Sequence, residues 1–127
     1  MKTAISTNNA PAALGPYSQG IVSEQGKTVY VSGQLAIDPE TGNFVEGCIR
    51  CQARQSLTNI SNILKEAGMT MDNVVKVTVL LKDINDFAAV NEVYADFFKA
   101  PFPARSAFAV AALPKNANLE IEAIAVG

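Results

Sequence analysis

The order of hydrophobic and polar residues changes its period several times along the chain. Residues 28–37 alternate strictly, which is typical of a half-buried β-strand. One side of this strand carries Val29, Val31, Gly33 and Leu35. A shorter apolar stretch at residues 17–22 predicts a preceding strand, and the Gly-containing segment 23–27 between them predicts a turn. The N-terminal part is therefore expected to form a β-hairpin.

From about Gly47 the hydrophobic residues recur every three or four positions, which predicts an amphipathic α-helix. Its stripe consists of Ile49, Ala53, Leu57, Ile60, Leu64 and Ala67. Gly68 follows at a position where glycine commonly ends a helix. A second stripe consists of Phe87, Val90, Tyr94 and Phe97. It predicts another helix, which Asp83 or Asn85 can cap and Pro101 ends.

Three further strands, rich in Val, Leu, Ile and Ala, are predicted at Val74–Leu81, at residues 104–111 and at Leu119–Val126. The predicted order is β-β-α-β-α-β-β, an α+β sandwich with both helices on one face of a mainly antiparallel sheet. The 127 residues fit a single domain over residues 1–127. Because the strands are apolar on both faces and two helices cover only one, the other face is expected to bury against identical subunits.

Composition and charge exclude several classes of function. Ten Lys and Arg against twelve Asp and Glu give a net charge of -2 without a basic run, so no nucleic-acid partner is expected. The chain has no histidine, which excludes serine–histidine and cysteine–histidine relays and metal sites that need imidazole. Neither a signal peptide nor a membrane-spanning stretch is visible in the sequence, so we expect a soluble cytoplasmic protein without a membrane partner.

Cys48 and Cys51 form a C-x-x-C motif near the start of the first predicted helix. A helix N-terminus lowers the pKa of a thiol, which gives a redox role a physical basis. Zinc would need two more ligands, and the chain has neither further Cys nor any His. Since an isolated C-x-x-C is a weak signal outside a thioredoxin-like unit, we favour two small, partly buried thiols without a function.

Four polar residues stand out from apolar surroundings. Arg105 lies in a strand of small residues and shares its face with alanines, while Glu120 and Glu122 share one face of the last strand. We favour a cross-strand ion pair between Arg105 and one of the glutamates, with a functional carboxylate as the alternative. Asn91 lies beside the second helical stripe, where it is either a buried polar group that needs partners or a rim residue with its amide in water.

Several stretches follow one another in an order that is typical of one known family. They are APAALGPYSQG (10–20), VSGQ (31–34), VKVTVLLKDINDF (75–87), VNEVY (90–94) and PARSAFAVAALPKNANLEIEAIAV (103–126). Together they resemble the RidA, or YjgF, family of reactive intermediate deaminases over almost the whole chain. The resemblance implies a chorismate-mutase-like α+β subunit in a homotrimer with sites between subunits. It also implies a 2-iminobutanoate/2-iminopropanoate deaminase, which hydrolyses imines and enamines such as 2-aminoacrylate to 2-keto acids and ammonia.

The resemblance further implies roles for individual residues. Arg105 would bind the substrate carboxylate in a bidentate pair, and Glu120 would hold the attacking water and transfer a proton. The implied substrate-binding residues are Tyr17, Ser32, Gly33, Asn91 and Ala107. Many members carry Cys at the position of Ala107, so a mechanism that uses this sulfur does not apply here. No metal or other cofactor is expected, because an imine carbon is already electrophilic and needs mainly orientation and water.

Two other functions stay open at the level of sequence. One is a non-catalytic regulatory protein that binds small carboxylates in the same Arg105 pocket. The other, which is attached to parts of the family, is a ribonuclease or translation inhibitor. The acidic charge balance and the lack of histidine argue against the second of these.

Overall fold

The computed structural model of the protein describes residues 2–24 and 26–127. Its elements are β1 (Lys2–Ile5), β2 (Gly20–Ser23), β3 (Thr28–Gln34), α1 (Ile49–Glu66), β4 (Val74–Leu81), α2 (Phe87–Phe97), β5 (Ala104–Ala109) and β6 (Leu119–Val126). Short 3₁₀ turns at Met71–Asn73, Ile84–Asp86 and Pro114–Asn116 precede β4, α2 and β6. From β3 onward, the α+β class and the order of elements agree with the prediction, although β3 and β5 end earlier than expected.

A four-stranded sheet in the order β3-β6-β4-β5 forms the centre of the fold. β3 and β4 pair antiparallel with β6, whereas β5 runs parallel to β4. The prediction of a mainly antiparallel sheet is therefore confirmed. β3 and β5 form the two edges, which lie about 14 Å apart because neighbouring strands are spaced by about 4.8 Å.

The predicted N-terminal hairpin is wrong. β2 pairs with β1 in a separate two-stranded sheet, in which Lys2 stands opposite Ser23. The turn expected at residues 23–27 includes Gln25, which lies outside the described residues. β1 was not predicted, because the four residues of this strand are too few to establish a period.

Both predicted helices are present, and they cover one face of the central sheet. The buried sheet residues beneath them include Val77, Val79, Leu81, Ile121, Ala123 and Ala125. The helices contribute Ala53, Leu57, Ile60 and Leu64 from α1, and Val90, Val93 and Tyr94 from α2. Gly68 has a φ angle of 77° just beyond α1, a left-handed conformation that glycine adopts without steric cost. Among the described residues, no helix is long and apolar enough to cross a bilayer.

The two ends of α2 differ slightly from the prediction. Asp83 caps the 3₁₀ turn before α2, with its side chain accepting from the backbone N–H of Asn85. The helix itself begins at Phe87 without a side-chain cap. It ends at Phe97, before Pro101 is reached.

The opposite face of the sheet carries apolar side chains on all four strands. Tyr30 on β3 is 76% exposed, and Phe108 on β5 is 45% exposed. Ile124 is the partner of Tyr30, Leu80 is the partner of Phe108, and both are half-buried. We call these four residues the open face. The apolar pattern that the sequence shows on both sides of its strands is thus present in the fold.

A β-bulge interrupts β3 near its end. The pairing partners of Val31 and Gln34 on β6 are two residues apart, so Ser32 and Gly33 together occupy the space of one residue. The bulge breaks the alternation of the strand. The prediction that Gly33 shares the face of Val31 is therefore wrong, and Gly33 instead approaches Glu120 on the other face.

Candidate functional site

Arg105 lies on the edge strand β5 with its side chain turned towards α2. Its Nη1 donates a 2.6 Å hydrogen bond to Oδ1 of Asn91. The guanidinium carbon lies 4.8 Å from the ring centre of Tyr94, 5.3 Å from that of Phe87 and 5.4 Å from that of Tyr17. One amide and the faces of aromatic rings therefore surround the cation, an arrangement that we call the Arg105 cage.

Helical spacing explains one side of the cage. Phe87, Asn91 and Tyr94 are four and three residues apart, so they lie on one face of α2. That face also packs onto the sheet, where Val90 and Tyr94 are buried. The stripe that builds the core thus also brings an amide and two rings to Arg105.

The segment before β2 closes the other side of the cage. The backbone N–H of Ser18 donates to the carbonyl oxygen of Pro103 at 3.1 Å, which fixes this segment beside the start of β5. The contact brings the ring of Tyr17 against Arg105. Gly15 also lies beside the cage, since a side-chain carbon at this position would be in ordinary contact with Nη2 of Arg105, at 3.8 Å.

The charge of Arg105 has no acidic partner among the described residues. Burial lowers the pKa of Arg105, while Tyr94 and Tyr17 oppose this effect. Burial also raises the pKa of Tyr94, against the opposite effect of Arg105, so this phenol stays neutral at physiological pH. A guanidinium stays protonated in proteins and has five N–H donors, of which Asn91 accepts from one. The half-buried cation can therefore bind an anion such as a carboxylate.

The expected ion pair between Arg105 and Glu120 or Glu122 is wrong. The strand order inserts β4 between β5 and β6. Arg105 is in register with Val77, which is buried under the helices, whereas Glu120 is in register with Leu80 of the open face. The arginine and the glutamates thus point to opposite sides of the sheet. The salt bridges between described residues join other side chains.

Glu120 belongs to a second group of residues, at the bulge of β3. A side-chain carbon at Gly33 would lie only 2.6 Å from Cδ of Glu120, so glycine lets this carboxylate pack against the backbone, and a larger residue would displace the Glu120 side chain. Ser32 precedes Gly33 in the bulge and is exposed. We call Ser32, Gly33 and Glu120 the Glu120 cluster.

The site residues expected from the sequence therefore divide into two groups within one chain. The group at the β5 edge contains Tyr17, Asn91, Arg105 and the half-buried Ala107. The second group is the Glu120 cluster. Because Arg105 and Glu120 lie on opposite faces and two strand spacings of about 4.8 Å apart, a short imino acid cannot contact both groups of one chain.

Sequence reasoning missed the contribution of Phe87 and Tyr94. Both were assigned only to the apolar stripe of α2. The structure shows that their rings also form walls of the Arg105 cage. A usable signal was present, because Asn91 lies between two aromatic residues on the same helical face, where an amide without a functional partner is unusual.

The C-x-x-C motif lies apart from both groups, at the start of α1. Cys48 and Cys51 are exposed, so the expectation of partly buried thiols is wrong. Their sulfur atoms are 3.1 Å apart. Within residues 2–24 and 26–127, no three or more Cys, Asp or Glu side chains come close enough together to hold a metal ion.

Comparison with known proteins gives a consistent result. Residues 7–127 match the family model described as Endoribonuclease L-PSP. The 2-iminobutanoate/2-iminopropanoate deaminase of Capra hircus is 58% identical over 122 residues, which cover 96% of this chain and 88% of the relative. RidA from an Antarctic Psychrobacter has a TM-score of 0.77 and 47% identity, covering 98% of this chain and 99% of its own. Escherichia coli TdcF with bound serine has a TM-score of 0.76 and 45% identity, covering 98% of each chain. The chain belongs to the endoribonuclease L-PSP family, the RidA/YjgF family that its motifs resemble.

Proposed function

We propose that the protein is a 2-iminobutanoate/2-iminopropanoate deaminase that hydrolyses reactive imines and their enamine tautomers. The observation that carries this proposal is the half-buried guanidinium of Arg105, held by aromatic rings and a neutral amide, with no acidic partner among the described residues. A guanidinium fork binds a carboxylate through two parallel hydrogen bonds. The name of the Capra hircus relative indicates the substrate class. TdcF was solved with serine, which carries the same carboxylate end as a 2-imino acid.

The proposed reaction has two chemical stages. The substrate carboxylate binds Arg105, which fixes the position of the C=N carbon. A water molecule held by Glu120 adds to this carbon, and the carboxylate takes one proton from the water and passes it to the nitrogen. The resulting carbinolamine releases ammonia and leaves the 2-keto acid. An enamine such as 2-aminoacrylate enters the same route after its terminal carbon gains a proton and its nitrogen loses one, which gives the imine.

We further propose that each site lies between two subunits of a homotrimer. Since the Arg105 cage and the Glu120 cluster lie on opposite faces of one chain, a small substrate that contacts both must lie between two chains. The open face, with Tyr30 and Phe108, is the apolar surface that such an interface would bury. A contact between two different surfaces closes into a ring when the rotation allows it. Residues 1–127 would act as one domain, in the cytoplasm.

A coupled assay tests the activity. A serine or threonine dehydratase generates the imine while semicarbazide competes for it, and the 2-keto acid is measured. We expect the wild-type protein to increase the keto acid yield. Arg105→Ala should weaken transition-state binding by about 2 to 4 kcal/mol, or about 30- to 1,000-fold in kcat/KM. Arg54→Ala is the matched control, because Arg54 also lies over an aromatic ring but pairs with Asp96, and its kcat/KM should be unchanged.

Other outcomes of this assay favour other functions. Full activity of Arg105→Ala would remove Arg105 from the mechanism. Binding of a keto acid without any acceleration of hydrolysis would favour the non-catalytic carboxylate-binding protein. RNA degradation that survives both Arg105→Ala and repeated purification would favour the ribonuclease, against which the net charge of -2 and the absence of histidine argue.

Mixing two variants tests the shared site. Arg105→Ala and Glu120→Gln each damage a different half of the site, and we expect each alone to have low activity. After random exchange into mixed trimers, about a quarter of the sites should combine two intact halves, and activity should return to that extent. Arg105→Ala mixed with the double variant is the control and should recover nothing. If mixed trimers form, as native mass spectrometry can show, yet recover no activity, both halves must belong to one chain.

A further inference from the structure

The C-x-x-C motif is exposed, and the proposed hydrolysis does not use it. Cys48 occupies the N-cap position of α1, and Cys51 follows in the first turn of the helix. Their sulfur atoms are 3.1 Å apart, which is close enough for one thiol to reach the other. α1 covers the face of the sheet opposite the open face, and both cysteines are exposed at its start.

We propose that Cys48 and Cys51 form a reversible redox site that exchanges with low-molecular-weight disulfides. The Cys48 thiolate attacks one sulfur of the external disulfide, forms a mixed disulfide and releases the first thiolate, which takes up a proton. Cys51 then loses its proton and attacks the sulfur of Cys48, which closes the Cys48–Cys51 disulfide and releases the second thiol. The protein thus loses two electrons and two protons, and the external disulfide is reduced to two thiols.

The start of α1 favours Cys48 as the attacking thiol. The hydrogen bond with the Cys51 side chain has the largest effect in lowering the pKa of Cys48, and the backbone N–H groups of Cys51 and Arg50 lower it further, so that together they outweigh the opposite effect of burial. The partial positive charge at a helix N-terminus stabilises a thiolate at the same place. Cys51 thus stabilises the Cys48 thiolate before the exchange and lies close enough to attack the mixed disulfide after it.

Gly47 keeps the second sulfur accessible. Its φ angle of 112° lies in a region that favours glycine. A side-chain carbon at this position would lie 3.3 Å from the sulfur of Cys51, which is tighter than an ordinary contact. The residue before the motif therefore turns the chain into α1 and leaves Cys51 uncovered.

Two thiols are the groups needed for a disulfide and too few for a structural metal site. Zinc in structural sites has four protein ligands. The part of the chain that the structure describes contains no group of three or more side chains that could hold a metal. Disulfide exchange is therefore the chemistry that this pair fits best.

Equilibration with oxidised and reduced glutathione tests the proposal, with alkylation of the remaining thiols and intact-mass measurement as the readout. The wild-type protein should lose two hydrogens and both alkylation sites, with little mixed disulfide. Cys51→Ser has a hydroxyl that can donate to the Cys48 sulfur, so it should react at a similar rate but stop at a glutathione adduct on Cys48. Cys48→Ser should react about tenfold more slowly, because it removes the thiol whose pKa is lowered at the start of α1. Imine hydrolysis should be unchanged in both variants.

Gly47→Ala is the control that keeps both thiols but crowds Cys51. Because alanine at a φ of 112° also strains the chain beside Cys48, the two steps are compared within this variant, and the closure of the disulfide should slow several-fold more than the first step. A stable glutathione adduct on the wild-type protein, equal rates for the two cysteine variants, or two thiols that stay alkylatable in excess oxidised glutathione would overturn the proposal. If Zn²⁺ protects both thiols from alkylation, and the Cys48–Cys51 disulfide does not form in the glutathione mixture, the pair binds a metal instead.

Discussion

Arg105 and Arg54 both lie against aromatic rings, but their polar partners differ. Arg54 lies 5.7 Å from the ring centre of Phe97 and forms a 3.3 Å salt bridge with Asp96 on the surface between the helices. Arg105 lies among three rings, and its polar partner is the neutral amide of Asn91. A carboxylate neutralises a guanidinium, whereas an amide leaves its charge uncompensated. The absence of an acidic partner for Arg105 within the described part of the chain, more than the aromatic contact, therefore distinguishes this anion site from the surface ion pair of Arg54.

Burial separates the same two regions. The side chains of Arg54 and Asp96 are 56% and 62% exposed, and those of Arg50 and Glu92 are 53% and 66% exposed. Exposed pairs of this kind contribute little to stability, because water and salt screen them. Asn91 directly precedes Glu92, yet it points to the sheet instead of α1. Two consecutive residues of α2 therefore contact different arginines. Glu92 pairs with the exposed Arg50, whereas Asn91 binds the half-buried Arg105.

The largest effect in this comparison is expected from Asn91→Asp. The new carboxylate would lie beside Nη1 of Arg105 and would make this arginine resemble Arg54. A substrate anion would then have to compete with an internal partner, so we expect a loss of about 2 to 3 kcal/mol, or about 30- to 150-fold in kcat/KM. Steady-state kinetics in the coupled assay and calorimetric binding of a 2-keto acid measure this loss.

Two variants control for this prediction. Asp96→Asn makes the opposite change at Arg54 and should leave both kcat/KM and keto acid binding unchanged. Asn91→Ala removes the hydrogen bond to Arg105 without adding charge, and its effect should be smaller than that of Asn91→Asp. If Asn91→Asp binds the keto acid as well as the wild type does, the anion does not contact Arg105.

A smaller effect is expected when one ring is removed from each arginine. Phe87→Leu removes a cage wall and should weaken keto acid binding by about 1 kcal/mol, or about fivefold, since cation–π contacts of partly desolvated groups have this size. Phe97→Leu removes the ring beside Arg54 and should leave binding unchanged. Melting temperatures of both variants show whether α2 stays packed. Equal losses of binding in the two variants would indicate a general disturbance of α2 instead of a role for the cage.

Local patterns predicted much of the fold. α1 and α2 were predicted because their stripes span several turns, and β4 and β6 were predicted with the bounds that the structure gives. Strand order and register were not predictable in this way. β4 lies between β5 and β6, and this arrangement depends on packing between distant segments. The bulge at Ser32 and Gly33 likewise depends on the pairing with β6, so the alternation of β3 gave the wrong face for Gly33.

The site could be predicted only in part for the same reason. Arg105 stood out because it is a charge in a strand of small residues. The ring of Tyr17 reaches it only through the bridge between Ser18 and Ala104, a contact between segments far apart in sequence. The ion pair between Arg105 and one of the two glutamates, Glu120 or Glu122, was expected from the alternation of the strands alone, without knowledge of the intervening strand. The division into two groups is a consequence of tertiary structure that no local pattern contains.

The smallest effect is expected from Tyr94→Phe, which keeps the aromatic ring and removes only the hydroxyl. The side chain is fully buried and stacks on Phe98 with ring centres 4.5 Å apart, while its hydroxyl has no hydrogen-bond partner among the described residues. Since a buried unpaired hydroxyl is unfavourable, its removal should raise the free energy of unfolding by up to about 1 kcal/mol. Urea unfolding at one fixed protein concentration measures this change, because subunit association also affects stability. Keto acid binding should be unchanged, since the ring face next to Arg105 remains. Weaker binding would mean that the hydroxyl donates to the bound anion, and that the cage acts through a hydrogen bond as well as through its rings.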